Sequence, residues 1–378
     1  MFTLSEELQA IARTARDFAE EHLAPSAVEW DETHHFPVDT LRKAAQLGMG
    51  GITVREEAGG SGLSRLAGIL VFEALSTGCP AVAAYLSIHN MVATMIDTFG
   101  DTRQRARFLP DLCSMQFLAS YCLTEPGCGS DAAALRTTAV RDGEEYVLNG
   151  VKQFISGAGV SDVYLVMART GGPGPGGISA LLVEDGTPGL SFGPEERKMG
   201  WHAQPTRQVV LRDVRVPTAS LLGGEGRGFH IAMTGLNSGR LNIGACSLGG
   251  GAAALERTLA YLREREAFGR PLIESQALQF RLADLATELE AARTLLWRAA
   301  AALDAGDPDA VTLCAMAKRV ATDAGFKAAN DALQLHGGYG YLTEYGIEKI
   351  VRDLRVHQIL EGTNEIMRLI VARSLVAA

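Results

Sequence analysis

Long hydrophobic runs and an excess of positive charge are both missing from this sequence of 378 residues. No apolar run approaches the roughly 18 residues of a membrane-spanning helix, and residues 1–30 form an acidic helical pattern unlike a signal peptide. With 35 Lys and Arg against 44 Asp and Glu, the net charge of −9 argues against a surface for nucleic acid or anionic membranes. We therefore expect a protein that binds neither.

Cysteine is scarce, and its spacing excludes the common metal and redox motifs. The chain has no CxxC pair, and the neighbouring His34 and His35 have no Cys or carboxylate cluster beside them that could complete a metal site. The cysteines are therefore expected to be reduced, buried small residues in a reducing compartment. There are six of them: Cys79, Cys113, Cys122, Cys128, Cys246 and Cys314.

The pattern along the chain predicts an α+β protein with a helical domain at residues 1–118, a small middle β domain at 119–225 and a C-terminal four-helix-bundle-like domain at 226–378. An apolar content of 47% and a mean hydropathy of +0.07 describe a well-filled globular chain that is long enough for two or three units. After the first helix, helical patterns cover about 38–47, 63–78, 80–98 and 102–108. Short β-type runs separated by Gly, Pro and Asp-Gly turns follow. Leucines at three- and four-residue spacing (278, 282, 285, 289, 296) then mark a core-packing helix. A GxGxxG match at 172–177 is interrupted by two prolines and followed by a strand, so it does not predict a dinucleotide site.

A carboxylate at the joint between two predicted helices is the first candidate for chemistry. One helical pattern runs to Leu360 and breaks at Gly362, and Thr363 is an N-cap candidate for a second helix. Glu361 therefore lies beside free backbone N–H groups at the second helix's start. Such a carboxylate could remove a proton while those donors hold an oxygen that becomes negative. Alone, it reads more naturally as a solvated linker residue.

Three further segments have unusual composition. Residues 121–131 (YCLTEPGCGSD) form a Gly-rich turn whose backbone N–H groups and hydroxyls could lie against a flat polar ring or a phosphate. Residues 154–159 (FISGAG) add an aromatic ring and a hydroxyl from a neighbouring strand. Residues 265–271 (REAFGRP) and 334–340 (QLHGGYG) each interrupt or end a helix. Taken singly, each is more simply a turn or a helix stop.

Together, in this order and spacing, these segments resemble the acyl-CoA dehydrogenase family across essentially the whole chain. The resemblance implies FAD bound between the β domain and the C-terminal helices, an acyl-CoA substrate, and a homo-oligomer, usually a tetramer. The residues that it implies at the flavin are Tyr121, Leu123, Thr124, Gly129, Ser130, Phe154, Ile155, Ser156, Thr363, Asn364 and Glu365. Those implied at the FAD of a neighbouring subunit are Arg265, Phe268, Ser275, Gln276, Gln334, Leu335, His336, Gly337 and Gly338. Those implied at the CoA thioester are Ser130, Asn237, Ser238, Gly239, Arg240, Gly362 and Arg373.

The resemblance also implies that Glu361 is the base that takes the α-proton of the thioester, while the β-hydrogen leaves as hydride to the flavin. Some family members place the base on the helix that corresponds to residues 236–241, but no carboxylate occurs there in this chain. Burial beside apolar substrate should raise the pKa of Glu361. Cys128 departs from the Ser, Ala or Asn of many members, and could alter flavin potential or oxidation sensitivity.

Within the family, residues 169–175, 184–193, 200–206, 236–243 and 355–361 look closest to members that act on isobutyryl-CoA. The expected reaction is its oxidation to methacrylyl-CoA, as in valine breakdown, with butyryl-CoA and 2-methylbutyryl-CoA as alternatives. Electron-transfer flavoprotein is the expected acceptor. An acyl-CoA oxidase and a non-enzymatic nucleic-acid-binding relative are less favoured, the first because oxidases usually carry a further C-terminal domain and the second because of the −9 charge. The expected location is the bacterial cytoplasm, or the mitochondrial matrix for a mature form.

Overall fold

The computed structural model describes residues 4–377. Its first part is a group of helices, as predicted. Ser5 caps the first of them, since its Oγ accepts from the backbone N–H of Leu8 at 3.2 Å. The sixth helix extends to Cys113, past its predicted end at residue 108. Burial of Leu109 and Leu112 stabilises this extension by more than the loss of the one backbone hydrogen bond that Pro110 cannot make. These helices are α1 Glu6–Phe18, α2 Ala27–Thr33, α3 Val38–Gln46, α4 Arg65–Gly78, α5 Pro80–Phe99 and α6 Thr102–Cys113.

The middle part is a mixed sheet, which confirms the predicted β domain. Its strands are β1 Ala119–Cys122, β2 Thr138–Asp142, β3 Glu145–Ser156, β4 Val163–Arg169, β5 Ile178–Glu184, β6 Leu190–Phe192, β7 Thr206–Pro217 and β8 Leu221–Leu222. They pair in the order β6-β7-β3-β2-β4-β5-β8, and β1 pairs with β4 in parallel. Successive side chains of β4 enter two different cores, Leu165 packing with α5 and α6 and Val166 packing with β5 and β7. Both faces at the centre of the sheet are therefore buried.

The C-terminal part is helical again. Its elements are α7 Gly228–Glu264, a hairpin of β9 Glu266–Ala267 and β10 Arg270–Pro271, α8 Gln276–Asp304, α9 Ala310–Leu335, α10 Ile347–Arg355 and α11 Asn364–Ala377. Helices α7 and α9 approach closely at small residues, because a Cβ on Gly251 would lie 2.8 Å from the Cα of Gly325. The predicted leucine seam on α8 is confirmed, with Leu282, Leu285 and Leu289 buried.

Two sequence predictions about individual residues also hold. All six cysteines are free and buried. The segment 172–177 lies between β4 and β5 rather than before a helix, so its GxGxxG match is indeed accidental. None of the helices within residues 4–377 is long and apolar enough to cross a membrane.

Candidate active site

Glu361 lies between two helices, as the sequence predicts. A 3₁₀ turn at Val356–Gln358 follows α10, and α11 begins at Asn364. Thr363 caps α11, since its Oγ1 accepts from the N–H of Ile366 at 3.3 Å. Glu361 itself has a φ of +54°, in the left-handed region that a residue with a side chain seldom adopts. Such strained backbone is concentrated at functional sites.

The carboxylate of Glu361 is turned inward. Both its oxygens are shielded from solvent, and neither has a hydrogen-bond partner within residues 4–377. Burial raises the pKa of Glu361 to about 7, against the opposing effects of Lys318 and Arg240. The carboxylate faces Gly239 on α7, where a Cβ would lie 2.8 Å from the Glu361 Cδ and overlap one oxygen. The absence of a side chain at position 239 therefore makes room for Glu361.

Two buried cations hold the turn around Glu361. Arg240 donates from Nη1 to Oδ1 of Asn237 at 2.8 Å, and from Nε to the backbone carbonyl of Glu361 at 3.3 Å. Lys318 on α9 donates from Nζ to the carbonyl of Gly362 at 2.9 Å and to Oδ1 of Asn364 at 3.0 Å. Helices α7 and α9 thus fix the turn from two sides.

Strand β1 supplies a third side of this site through Tyr121. Its hydroxyl is buried, and among the residues described it has no hydrogen-bond partner. Burial, and secondarily the nearby charge of Glu361, raises the pKa of Tyr121. Tyr121, Gly239, Arg240, Glu361 and Gly362, which were predicted separately, are therefore close together.

The Gly-rich turn after β1 is held by a buried ion pair. Nζ of Lys152 lies 2.8 Å from Oε1 of Glu125 and also donates to the carbonyl of Leu123. The Glu125 carboxylate accepts from the N–H groups of Arg136 and Thr137. Glu125 and Cys128 exchange backbone hydrogen bonds across the turn. Its tip is therefore fixed in place.

The outer face of this turn is open. A Cβ built on Gly127 or Gly129 would meet no atom within 4 Å. The end of β3 lies beside it, since the N–H of Gln153 donates to the carbonyl of Thr124 at 2.8 Å. Phe154 projects from that end with 64% of its surface exposed and a φ of +60°. The structure thus brings residues 121–130 and 154–156 together around one accessible surface.

A second group of predicted residues lies at the other end of α7. Arg265 follows α7 and places its guanidinium 5.4 Å from the ring centre of Tyr339. Phe268, at the tip of the β9–β10 hairpin, is fully exposed and has a φ of +56°. Ser275 and Gln276 begin α8 there, and residues 334–338 end α9. With about 1.5 Å of rise per residue, the segment of α7 between Gly239 and Arg265 is about 40 Å long, so Arg265 is far from the Glu361 site.

Several predicted side chains point away from these surfaces. The Asn364 amide is buried and bonds to Lys318, Thr322 and Asp323 on α9, so it can meet a ligand only through its backbone. The His336 ring is buried against Tyr261. Another predicted residue, Ser238, lines a small cavity between α4, α5 and α7.

Other predicted residues, Glu365 and Arg373, are exposed on α11. The sequence reasoning missed Lys318, although a lysine beside the apolar positions Leu313, Ala317 and Ala321 of α9 was a usable signal.

The comparisons with known proteins cover the whole chain. The N-terminal, middle and C-terminal domain models of the acyl-CoA dehydrogenases match residues 5–116, 120–214 and 226–376. A relative named mitochondrial isobutyryl-CoA dehydrogenase, from Bos taurus, is 56% identical over 98% of this chain and 89% of its own. The solved structure of butyryl-CoA dehydrogenase from Megasphaera elsdenii superposes with a TM-score of 0.96 at 38% identity, covering all of both chains. A structure titled PigA with FAD and proline superposes with a TM-score of 0.96 at 31% identity over 99% of each chain. A domain match along the full length, together with a buried carboxylate between α10 and α11, leaves one conclusion: this chain is a member of the acyl-CoA dehydrogenase family.

Proposed function

We propose that this enzyme oxidises a short branched acyl-CoA to its α,β-unsaturated ester, with Glu361 as the base and FAD as the hydride acceptor. The carboxylate of Glu361 carries this proposal, because it is buried, has no hydrogen-bond partner among the described residues and has a pKa raised to about 7. A group with that pKa is half ionised near neutral pH, so a carboxylate is available to take the proton. It is also basic enough to hold that proton. An ordinary solvated glutamate would be a far weaker base.

The residues around the Gly-rich turn fit a flavin. The turn presents Gly127 and Gly129 without side chains to fill the space in front of them. The hydroxyl-bearing residues Thr124 and Ser130 belong to the same turn, and Ser156 ends the neighbouring strand β3. We propose that this surface, with Phe154, holds the ring system. When bound, the flavin accepts the β-hydrogen of the substrate with its electron pair.

The substrate's carbonyl oxygen requires a donor close to Glu361. The backbone N–H of Glu361 donates to no acceptor within residues 4–377, so it is free to hold that oxygen. A donor aimed at an oxygen that becomes negative stabilises the enolate-like transition state. Glu361 alone would then remove the α-proton through its carboxylate and stabilise the resulting charge through its backbone N–H.

The second group of residues supports an oligomer. Arg265 lies about 40 Å along α7 from Gly239, and Gln334 lies about 24 Å along α9 from Lys318, so both are too far from Glu361 to reach the same flavin ring within a chain. We propose that they reach the FAD of a neighbouring subunit in a homotetramer. The full exposure of the Phe268 side chain is consistent with its burial in such an interface.

Isobutyryl-CoA is the proposed substrate, with methacrylyl-CoA as the product. The Bos taurus relative named for isobutyryl-CoA is 56% identical to this chain, against 38% for the structure named for butyryl-CoA. A 2-methyl-branched acyl group requires a pocket that is wide at the α-carbon. Butyryl-CoA is an isomer with its methyl group in a different position, and a misfit of one carbon in a hydrophobic pocket is worth about 1–3 kcal/mol, so butyryl-CoA should be disfavoured by about tenfold to a hundredfold.

Electron-transfer flavoprotein is the proposed acceptor, because a dehydrogenase of this family must pass its electrons to a redox partner. A cytoplasmic or matrix location accords with the mitochondrial name of the Bos taurus relative. We propose domain limits of 1–118, 119–225 and 226–378. In the structure, α6 ends at Cys113 and α7 begins at Gly228.

Anaerobic titration of the yellow protein tests the reaction and the substrate together. Isobutyryl-, 2-methylbutyryl-, butyryl- and octanoyl-CoA are added in turn, and bleaching of the flavin absorbance and kcat/KM are measured. We expect isobutyryl-CoA to give the highest kcat/KM. If no acyl-CoA bleaches the flavin, the proposed reaction is refuted. If butyryl- or octanoyl-CoA gives the highest value, the substrate assignment fails while the reaction stands.

A further inference from the structure

Lys318 is a buried lysine that no predicted role accounts for. Its side chain is fully shielded from solvent on α9. The two hydrogen bonds from its Nζ reach Gly362 and Asn364, on either side of the turn that follows Glu361. Both of these acceptors are neutral oxygens. Burying an ammonium group is costly unless an anion compensates it, so the arrangement requires a nearby negative charge.

Glu361 is the anion that best fits this requirement. Among the charged neighbours of Lys318, Glu361 does most to raise its pKa and so to favour its charged form, ahead of Asp323 and Glu365. Asp323 also accepts hydrogen bonds from Gln358 and Asn364, and Glu365 is exposed to solvent. In turn, Lys318 is the residue that does most to lower the pKa of Glu361, against the increase caused by burial.

On the basis of the proposed role of Glu361, we propose that Lys318 is a positioning residue with two effects on the base. It fixes the turn that carries Glu361, and it supplies a buried positive charge that opposes protonation of the Glu361 carboxylate at neutral pH. Without that charge, burial alone would favour the protonated acid, which cannot accept the α-proton. Lys318 acts through Glu361 and requires no contact with substrate or flavin.

The other groups that face Glu361 cannot replace this charge. Arg240 on α7 is the second cation, and it lowers the pKa of Glu361 by less than Lys318 does. Burial raises the pKa of Tyr121 on β1 and that of Cys246 on α7, so both are neutral near pH 7. Loss of Lys318 would therefore leave a single cation beside the carboxylate.

Lys318→Met tests the electrostatic effect, because methionine is similar in length and uncharged. The rate of flavin reduction by isobutyryl-CoA is measured in stopped flow from pH 5.5 to 9.5. Since ionised Glu361 is the active form, the rate rises with pH. The pH at which the rate is half-maximal, here called the midpoint, reports the pKa of Glu361. We expect the midpoint to move up by about one pH unit or more in the variant. Burial lowers the pKa of Lys318 to about 8, so the two proteins should converge towards pH 9.5, where wild-type Lys318 is itself uncharged.

Two control variants separate charge from anchoring. Thr322→Val removes a hydrogen bond to the same Asn364 side chain without changing any charge. Lys318→Arg keeps the charge with altered geometry. We expect both to leave the midpoint near that of wild type, even if their maximal rates fall. A rate for Lys318→Met that is lower by the same factor at every pH, with an unchanged midpoint, would overturn the electrostatic role. Should Lys318→Met not fold, Lys318→Gln gives the same comparison with a hydrogen-bond donor retained.

A second measurement does not depend on turnover. The free energy of unfolding of the holoenzyme is measured at pH 5.5 and 7.5 for wild type, Lys318→Met, Glu361→Gln and the double variant. We expect the interaction energy of this cycle to be small at pH 5.5, where Glu361 is protonated, and clearly favourable at pH 7.5, where both groups carry charge. An interaction energy that is the same at the two pH values would refute the coupling. If wild type is reduced by no acyl-CoA, the proposed function fails, while this cycle still decides whether Lys318 and Glu361 interact.

Discussion

Replacement of Glu361 by glutamine changes one atom of the side chain and removes its capacity to take a proton. The amide is nearly the same size, so the close fit against Gly239 should survive. We expect the variant to keep its flavin and bind acyl-CoA, while flavin reduction slows by at least the factor of about 10²–10⁴ that a general base supplies. Stopped-flow reduction by isobutyryl-CoA measures this directly. Reduction within about tenfold of the wild-type rate would place the base elsewhere.

The same substitution should change how stability depends on pH. The pKa of Glu361 is raised from an ordinary value of 4.5 to about 7 in the folded protein. As pH rises through this interval, the unfolded chain loses the proton first, so the folded state loses stability. Each pH unit corresponds to about 1.4 kcal/mol, which gives a loss of about 3 kcal/mol by pH 7 and above. Glutamine does not titrate and should escape that loss.

The expected observation is therefore a difference that grows with pH. Near pH 4.5 the two proteins should differ little in free energy of unfolding, whereas at pH 8 the variant should be the more stable by up to about 3 kcal/mol. Denaturant unfolding at fixed protein concentration measures both, which avoids a shift caused by subunit dissociation. The titrating groups that do not interact with Glu361 are common to the two proteins and cancel in the difference. A stability difference that is constant from pH 5 to 8 would mean that the Glu361 carboxylate is not held in a desolvated site.

Three further substitutions test other parts of the site. Gly239→Ala should leave the fold intact but displace the Glu361 carboxylate, so that kcat falls while CoA-ester binding measured by flavin spectral shift persists; unchanged kcat would contradict the close approach. Arg265→Ala should weaken FAD retention and tetramer assembly together, as judged by gel filtration and flavin absorbance, whereas the equally exposed Arg263→Ala should affect neither; an intact oligomer with full flavin would count against the proposal. Lys152→Met should leave Glu125 as an unpaired buried anion and lower the free energy of unfolding by about 3–5 kcal/mol, with partial recovery in Lys152→Met/Glu125→Gln; a small loss that the second change does not relieve would refute the pairing.

Much of the fold could be predicted from local pattern alone. The apolar run of β4 and the leucine spacing on α8 are each visible within a few residues, and tertiary structure agrees with them. The true end of α6 could not be predicted this way. Pro110 is a local signal to stop, and only the burial of Leu109 and Leu112 against the rest of the protein outweighs it.

The candidate site shows the same division. The segments around Tyr121 and Glu361 have compositions that mark them individually, and the family resemblance joins them. The approach of Gly239 to Glu361, however, joins residues more than a hundred positions apart, and the role of Lys318 depends on how α9 packs under the turn. The apolar positions around Lys318 indicate that it is buried, but they do not indicate which groups it contacts. The functions of Gly239 and Lys318 come from tertiary contacts that a pattern in one sequence does not contain.

The backbone gives an independent reason to regard these segments as functional. Seven non-glycine residues within positions 4–377 have a positive φ, and three of them, Phe154, Phe268 and Glu361, are at positions implied by the family resemblance. Each such conformation costs about 1–3 kcal/mol, so it persists only where the surroundings hold it. Around Glu361 those surroundings are the hydrogen bonds from Arg240 and Lys318 to the carbonyls of residues 361 and 362. Glycine at position 361 would relieve the strain at once, but it would remove the carboxylate. The strain at this position is therefore explained by a requirement for that particular side chain in that particular direction, which is what a proton-abstracting base needs.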